Sequence, residues 1–251
     1  MTQPLSFDTT RLPCPHTGES HDAWRKSVRN FVDKEIAPHV NEWDEAGAFP
    51  RTLHKQAAEF GLIGLGVPER YGGIEEGVDV FHSIIASEEL ARAGSGGLVA
   101  GLMTHGIGLP PIIAMGTEEL KQRIAPSVLS GRCLIALCVT EPSGGSDVSR
   151  IKTKAKRKDQ NYIVNGEKTF ITTGMRADFL TVAVRSGGDG AGGLSFLLVE
   201  ANRPGVTRTP LDKMGWWMSD TATIHFLDVE VPVEKVTSIG RRNTAYHNLK
   251  N

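Results

Sequence analysis

The 251-residue sequence predicts an α+β fold in which an all-α domain is followed by an antiparallel β-barrel-like domain. Three observations lead to this prediction. Apolar residues recur at three- and four-residue steps in the first part of the chain, a period of two replaces that pattern after Arg132, and glycine-rich loops separate the later apolar segments. The length allows two domains that each bury an apolar core.

The first predicted helix is long and amphipathic and covers residues 20–46. Charged residues lie between apolar side chains at helical spacing, which are Trp24, Val28, Phe31, Val32, Ile36, Val40 and Trp43. Because proline has no backbone N–H to donate, we expect this helix to bend at Pro38.

Capping signals bound three further helices, with proline at a first helical position, glycine after a last turn, or threonine as N-cap. These helices are predicted from Pro50 to Gly61, from Val78 to Ala93, and from Thr117 to the residue before Gly131. Acidic residues in the first turn of the last helix, Glu118 and Glu119, stabilise the positive end of its dipole.

The stretch from Ala93 to Thr117 has no charged side chain and is long enough to cross a membrane. Seven glycines and the pair Pro110-Pro111 dilute its hydrophobicity and favour tight packing. We therefore predict a buried helix of the α domain and no membrane contact.

Short apolar or alternating segments predict the strands, at 133–140, 151–158, 162–164, 167–172, 178–185, 194–200 and 221–231. Asn165-Gly166 is a strong hairpin signal and predicts a tight turn. Four lysines alternate along the second strand, at 152, 154, 156 and 158, and predict a solvated face; a phosphate-binding patch is the alternative.

Composition and motifs exclude several classes of function. The net charge of -1 gives no electrostatic case for nucleic acid. The three cysteines have no metal-ligand spacing, so we expect a reducing compartment and no metal site. Residues 1–16 lack the apolar core of a secretory signal. The one Gly-x-Gly-x-x-Gly match, at Gly188–Gly193, lies in a glycine-rich loop between two predicted strands and opens no helix. No Walker A or Gly-x-Ser-x-Gly pattern occurs, so the sequence gives little support to a Rossmann, P-loop or hydrolase function.

Two segments place hydroxyl groups and glycines at strand ends. The first, Cys138–Asp147, has a glycine turn whose N–H groups and Ser146 hydroxyl could converge on a pyrophosphate; an ordinary β-turn with an Asx-type cap is the alternative. The second, Lys168–Gly174, ends a strand with an aromatic residue and two threonines, and core packing alone would also explain it.

Together with two later segments, these motifs resemble the acyl-CoA dehydrogenase family, from about Trp24 onward. The matching segments are Val139–Pro142 with Gly145–Asp147, Val164–Lys168 with Phe170–Thr172, Lys213–Gly215 with Ser219–Thr221, and Phe226 with Asp228-Val229 and Val231-Pro232. The resemblance implies an α-helical domain, a middle β domain and a C-terminal four-helix bundle, with FAD between them. On this resemblance we expect the bundle to be missing from the 251 residues.

The resemblance also implies a set of FAD contacts. The backbone of Leu137, Cys138 and Val139 and the Thr140 hydroxyl would meet the flavin ring, while Gly145 and Ser146 would meet the pyrophosphate. Ser146 would also contact acyl-CoA. Phe170, where many relatives have Trp, would pack on the ring beside Ile171, and Thr172 would donate toward flavin N5, which receives a hydride.

In the family a glutamate of the C-terminal bundle removes the α proton, and the resemblance places that base beyond Asn251, so no catalytic residue is assigned here. Glu141 and Asp147 are expected to be structural. General base catalysis is typically worth about 10² to 10⁴ in rate, so we expect the chain alone to be inactive or weakly active. A non-catalytic flavin or acyl-CoA binding protein, or an enzyme like the acyl-CoA or nitroalkane oxidases, is the alternative.

The predicted organisation is a flexible arm at 1–19, the α domain at 20–131, the β domain at 132–236, and a linker with the start of the bundle at 237–251. The implied partners are an acyl-CoA substrate and an electron-transfer flavoprotein, with homo-oligomers formed by full-length relatives. A cytoplasmic location is expected, with an organellar matrix as the alternative.

Overall fold

A computed structural model describes residues 12–233 and 236–238, which fall into two compact units. The first unit consists of the residues up to Leu102 together with Lys213–Ser219, and the second of Met103–Asp212 and the residues from Asp220 onward. The α-helices described in the first unit are α1 (Glu19–Phe31), α2 (Val40–Glu45), α3 (Thr52–Glu59), α4 (Val80–Ala91) and α5 (Gly96–Leu102).

The second unit combines three helices with an eight-stranded sheet. Its helices are α6 (His105–Gly108), α7 (Pro110–Met115) and α8 (Glu118–Leu129). Its strands are β1 (Ile135–Cys138), β2 (Lys154–Lys158), β3 (Asn161–Ile171), β4 (Phe179–Arg185), β5 (Leu194–Glu200), β6 (Val206–Pro210), β7 (Ala222–Pro232) and β8 (Val236–Ser238).

The predicted fold class, helices followed by a barrel-like sheet, is confirmed. The strand order is β6-β7-β3-β2-β4-β5-β8, with β1 also beside β4. The sheet is mixed, since β1 and β2 pair with β4 in parallel while the other pairs are antiparallel. Alternate side chains fill its apolar core, including Cys138, Val164, Leu180, Val182, Leu197, Val199, Ile224 and Val229.

Side-chain caps and cross-helix contacts organise the first unit. Asp79 caps α4 by accepting hydrogen bonds from the N–H groups of Phe81 (2.9 Å) and His82 (3.3 Å). The indole N–H of Trp24 donates to the His82 carbonyl at 3.0 Å and thereby ties α1 to the start of α4. In the second unit Thr117 caps α8 as predicted, accepting from Leu120 N–H at 3.2 Å.

Two predicted helices are interrupted. The helix predicted at 20–46 is divided into α1, a π-helical turn at Val32–Ile36 and α2, with the break around Pro38. The stretch 93–117 forms the short helices α5, α6 and α7, because its glycines and prolines do not sustain one long helix. No single helix in the described residues is long and apolar enough to cross a membrane; α5 followed by α6–α7 reaches that length only as a bent pair.

The hairpin predicted at Asn165-Gly166 is wrong, because β3 runs through both residues and the turn lies at Asp159-Gln160. Gly166 has a φ of +148° and lies at a register shift between β3 and β7. A Cβ atom there would come within 2.6 Å of Thr153 Oγ1, so only glycine allows this approach. The Asn165 amide instead bonds Asp228 on β7 at 2.9 Å.

The remaining strand predictions hold in outline, and all four lysines of the second strand are exposed, as expected for a solvated face. Two strands are not predicted. The segment of β6 has no apolar alternation, and β8 is only three residues long. Residues 1–11 of the predicted arm and residues 239–251 of the predicted linker and bundle start lie outside the described residues, and the domain boundaries remain predictions.

Candidate functional site

The first predicted segment begins in β1 and contributes mainly backbone groups. Cys138 is fully buried in the main core, whereas Leu137 and Val139 pack against a smaller cluster on the opposite face. Burial raises the pKa of the Cys138 thiol to about 12, so this cysteine stays protonated and is not a nucleophile. The groups that remain to bind a ligand here are the backbone peptide groups of this segment and the half-buried Thr140 side chain.

A tight turn follows β1. The N–H of Glu141 donates to the Gly144 carbonyl (3.0 Å), and the N–H of Gly144 donates back to the Glu141 carbonyl (2.9 Å). Gly145 lies beside the Thr140 side chain, where an added Cβ would be 3.1 Å from both Thr140 Oγ1 and Thr140 Cγ2 and would crowd that side chain. Ser146 is exposed next to this turn.

The acidic residues of this segment are occupied by protein donors. Asp147 accepts bonds from the N–H (3.2 Å) and hydroxyl (2.5 Å) of Ser149, which is the Asx-type cap expected as the plain alternative for this segment. Glu141 is almost fully buried and accepts bonds from the N–H groups of Lys152 (2.7 Å) and Thr153 (2.8 Å). Both carboxylates are therefore bonded to protein donors, and the expectation that neither is a catalytic base stays a prediction.

The second predicted segment ends β3 with an irregular backbone. A register shift against β7 precedes Ile171, and Phe170 has a φ of +59° with its ring 69% exposed. Ile171 is buried and Thr172 is half-buried. A non-glycine residue with positive φ is strained, and here the conformation presents the aromatic ring to the surface of the unit.

Asp220 holds the turn that follows Thr172. Its carboxylate accepts bonds from the N–H groups of Met175 (3.1 Å) and Arg176 (3.0 Å) and from Arg176 Nε (3.0 Å). Arg208 donates to the carbonyls of Met175 (2.9 Å) and Ala177 (3.1 Å) in the same turn. Charged side chains therefore hold residues 175–177 of the turn that follows Thr172.

The two predicted segments lie side by side in the second unit. The N–H of Thr169 donates to the Thr140 carbonyl at 2.9 Å. Lys168, which has no exposed surface, donates through Nζ to the Val139 carbonyl (3.0 Å) and to Glu141 Oε1 (2.9 Å). An ion pair at the base of both segments therefore joins them.

Hydroxyl groups around the segments divide into two sets. Thr153 Oγ1 donates to the Glu167 carbonyl (3.3 Å), and Thr169 Oγ1 pairs with Thr223 Oγ1 (3.0 Å). Within the described part of the chain, the hydroxyls of Thr140, Ser146 and Thr172 show no such protein partner. Within the same described residues the exposed Ser143 hydroxyl is open as well, so the three hydroxyls that the sequence assigns to a ligand are among those free to bond one, and donors of this kind suit a polar ring and a phosphate.

The sequence prediction missed the residues that brace this site, namely Lys168, Arg176, Arg208 and Asp220. One signal for the ion pair was present. Glu141 is the only charged residue in 138–146, and Lys168 is the only charged residue in 168–174. Single opposite charges in two otherwise uncharged segments favour a buried pair once those segments are adjacent.

Two family models match the chain in succession. Residues 18–132 match the acyl-CoA dehydrogenase N-terminal domain, and residues 136–229 match the acyl-CoA dehydrogenase middle domain.

Similar proteins support the same assignment. The chain is 36% identical over 234 residues to the mitochondrial long-chain specific acyl-CoA dehydrogenase of Mus musculus, covering 91% of this chain and 53% of that protein. A crystal structure of a probable acyl-CoA dehydrogenase from Mycobacterium abscessus is 45% identical with a TM-score of 0.87, covering 93% of this chain and 62% of the other. A glutaryl-CoA dehydrogenase from Mycobacterium smegmatis in complex with FADH2 is 26% identical with a TM-score of 0.80, covering 93% and 58%. The chain spans about half the length of the curated relatives it matches.

Proposed function

The chain belongs to the acyl-CoA dehydrogenase family, and on that premise we propose that it forms the flavin-facing part of an enzyme that converts an acyl-CoA thioester to the trans-2-enoyl-CoA. The observation that carries this proposal is the pairing of the two strand-end segments. Within the described residues the hydroxyls of Thr140, Ser146 and Thr172, which lie on these segments, have no protein partner and would supply donors to a bound cofactor.

We propose that FAD is held by these residues. The peptides of Leu137, Cys138 and Val139 and the Thr140 hydroxyl would bind the flavin ring, and Gly145 and Ser146 the pyrophosphate. Phe170 and Ile171 would offer an apolar face to the ring, and Thr172 a donor near N5. Bound FAD would supply the acceptor for the hydride that leaves the acyl β carbon.

The protein's own contribution is to bind and orient. A threonine hydroxyl fixed in place can stabilise negative charge as it develops without reorganising at the moment of reaction. Glu141 and Asp147 are already bonded to backbone donors, so we assign neither the removal of the α proton. The placement of that base beyond Asn251 stays a prediction from the family resemblance.

The substrate and the acceptor are also proposals. Ser146 is exposed at the turn, where it could bond an acyl-CoA thioester as well as the cofactor. We propose an electron-transfer flavoprotein as acceptor on the family resemblance alone. The cytoplasmic location rests on the sequence expectation in the same way.

The test is to titrate the purified chain with FAD, remove free cofactor, and record the visible spectrum before and after anaerobic addition of acyl-CoA. Saturable FAD binding would support the flavin-facing role. Bleaching by acyl-CoA would show that this chain also holds a base and would contradict the placement of that base beyond Asn251. FAD binding without bleaching is expected for the chain alone, turnover restored by a partner chain that bears the glutamate would then exclude the non-catalytic alternative, and oxygen consumption without an added carrier would favour an oxidase. A chain that binds no FAD would contradict the proposal.

A further inference from the structure

Lys168 and Glu141 form a buried ion pair directly behind the strand end at Val139-Thr140. Lys168 is completely inaccessible, and the Glu141 side chain is 4% exposed. The ammonium Nζ lies 2.9 Å from Glu141 Oε1 and 3.0 Å from the Val139 carbonyl oxygen. The positive charge therefore bonds one charged group and one neutral peptide.

Stability alone does not account for a pair of charges at this position. Removing two ions from water is unfavourable, and replacing buried pairs with apolar residues of similar volume is often neutral or stabilising. Glu141 is moreover bonded to two backbone N–H groups, at 2.7 and 2.8 Å, that would hold it without the lysine. Burial lowers the pKa of Lys168, while the adjacent Glu141 carboxylate favours the charged ammonium and offsets part of that effect.

The geometry allows the Lys168 ammonium to influence a ligand at Thr140 through the backbone. The Val139 carbonyl and the Thr140 N–H are opposite ends of one planar peptide group. An ammonium bonded to the oxygen end polarises the group and makes the N–H end a stronger donor. In the interior of the protein this influence is screened much less than it would be in water.

We propose that Lys168 is a positioning residue that raises the reduction potential of a flavin bound at Val139-Thr140, acting through the peptide between these residues. This inference rests on the proposed function. Reduction adds electrons to the ring, so a positive charge behind that peptide stabilises the reduced form relative to the oxidised one. Glu141 holds Lys168 in place and offsets part of the effect of the positive charge on the reduction potential.

The experiment measures the reduction potential of the FAD-loaded protein by equilibration with redox dyes at pH 7. The variants are Lys168→Met, which removes the cation with little change in length, and Glu141→Gln, which removes the anion but keeps an acceptor. Lys156→Met is the matched control, because Lys156 is an exposed residue of β2. FAD affinity and circular dichroism are recorded for each variant, to show that it is folded and loaded.

Opposite shifts are expected. Lys168→Met should lower the equilibrium constant for two-electron reduction about tenfold or more, which is about 30 mV. Glu141→Gln should raise it, and Lys156→Met should leave it unchanged. A purely structural role would instead weaken FAD binding in both variants and leave the potential of the loaded fraction unmoved.

The possible outcomes distinguish a failure of the role of Lys168 from a failure of the proposed function. Potentials of Lys168→Met and Glu141→Gln that are unchanged, or that move in the same direction, would overturn the role of Lys168 and leave the proposed function standing. Should Lys168→Met fail to fold, the sign of the shift in Glu141→Gln still decides. A wild-type chain that takes up no FAD would overturn the proposed function and this inference with it.

Discussion

Each of the two compact units contains a buried carboxylate with a cationic partner, but the two carboxylates are bonded in different ways. Glu89 on α4 is fully buried and accepts bonds from Arg25 (3.0 Å) and Arg29 (3.0 and 3.1 Å) on α1, and from Arg92 (3.5 Å). Glu141 instead accepts two backbone N–H bonds and one bond from Lys168.

This difference in bonding distinguishes the structural role of Glu89 from the role of Glu141 beside the candidate site. Arginine side chains bond the Glu89 carboxylate, and two of these three arginines lie on the neighbouring helix α1, so the bonds clamp two helices together. The bonds of Glu141 end on the backbone that follows β1 and precedes β2, and its lysine bonds the strand end that we assign to the cofactor. Burial of a charge alone does not identify function; the identity of its partners does.

Removing the Glu89 charge should produce the largest loss of stability. Glu89→Gln would leave three arginines without their shared anion, and breaking a buried ion pair typically costs about 3–5 kcal/mol. Urea denaturation measures the change. Glu88→Gln is the matched control, since Glu88 is half exposed and a surface pair is worth about 0–1 kcal/mol. Equal losses in the two variants would contradict the scaffold role of Glu89.

A change at Gly166 should disturb the bonding of Glu141 from a distance. Gly166→Ala would place a Cβ 2.7 Å from Thr153 Cα at a φ of +148°, and the N–H of Thr153 is a donor to Glu141. Strain and overpacking of this kind each cost about 1–3 kcal/mol. We expect lower stability and weaker FAD binding together.

Gly188→Ala is the control for that change, because an added Cβ at Gly188 meets no atom within 4 Å. It should alter neither stability nor FAD affinity. A Gly166→Ala variant that unfolds more easily yet binds FAD with unchanged affinity would show that the register shift at Gly166 does not influence the candidate site.

Comparing the site with its sequence shows why some features were predictable and others were not. The cap at Thr117 and the break at Pro38 follow from local chemistry and could be predicted. Asn165-Gly166 carries the local signature of a hairpin, but Gly166 is needed for its contact with Thr153, which is distant in sequence. That requirement depends on how strands pair and cannot be read from a dipeptide.

The same reasoning applies to the candidate site. The family resemblance predicted which two segments would face the flavin, a role that stays a prediction, and the structure brings these segments together through Thr169 and Thr140. The pairing of Lys168 with Glu141 was missed, because the irregular end of β3 and the parallel placement of β1 are not encoded in either segment alone.

Acid should weaken both units through their buried carboxylates. Burial alone would raise the pKa of Glu141, but bonds from Lys168, Thr153 and Lys152 outweigh it and lower that pKa; arginine partners likewise lower the pKa of Glu89. A lowered folded-state pKa gives stability that is present above the unfolded pKa of about 4.3 and lost as pH falls through the folded value.

We therefore expect the free energy of unfolding to decline as pH falls below about 4.3, and Glu141→Gln to reduce the slope of that decline by up to one proton. Urea titrations at several acidic pH values measure the slope. A slope in Glu141→Gln equal to that of the wild type would show that Glu141 contributes no such linkage.

The central claim, that the open hydroxyls at the strand ends bind FAD, is tested most directly by titrating FAD into the wild type, Thr172→Ala and Thr169→Ala. Within the described residues the Thr172 hydroxyl has no protein partner, whereas the Thr169 hydroxyl bonds that of Thr223 at 3.0 Å. The account predicts saturable wild-type binding, about fivefold weaker binding in Thr172→Ala at unchanged stability (about 1 kcal/mol), and wild-type affinity in Thr169→Ala with lower stability. Absence of saturable binding, or equal affinities in the two variants, would contradict it.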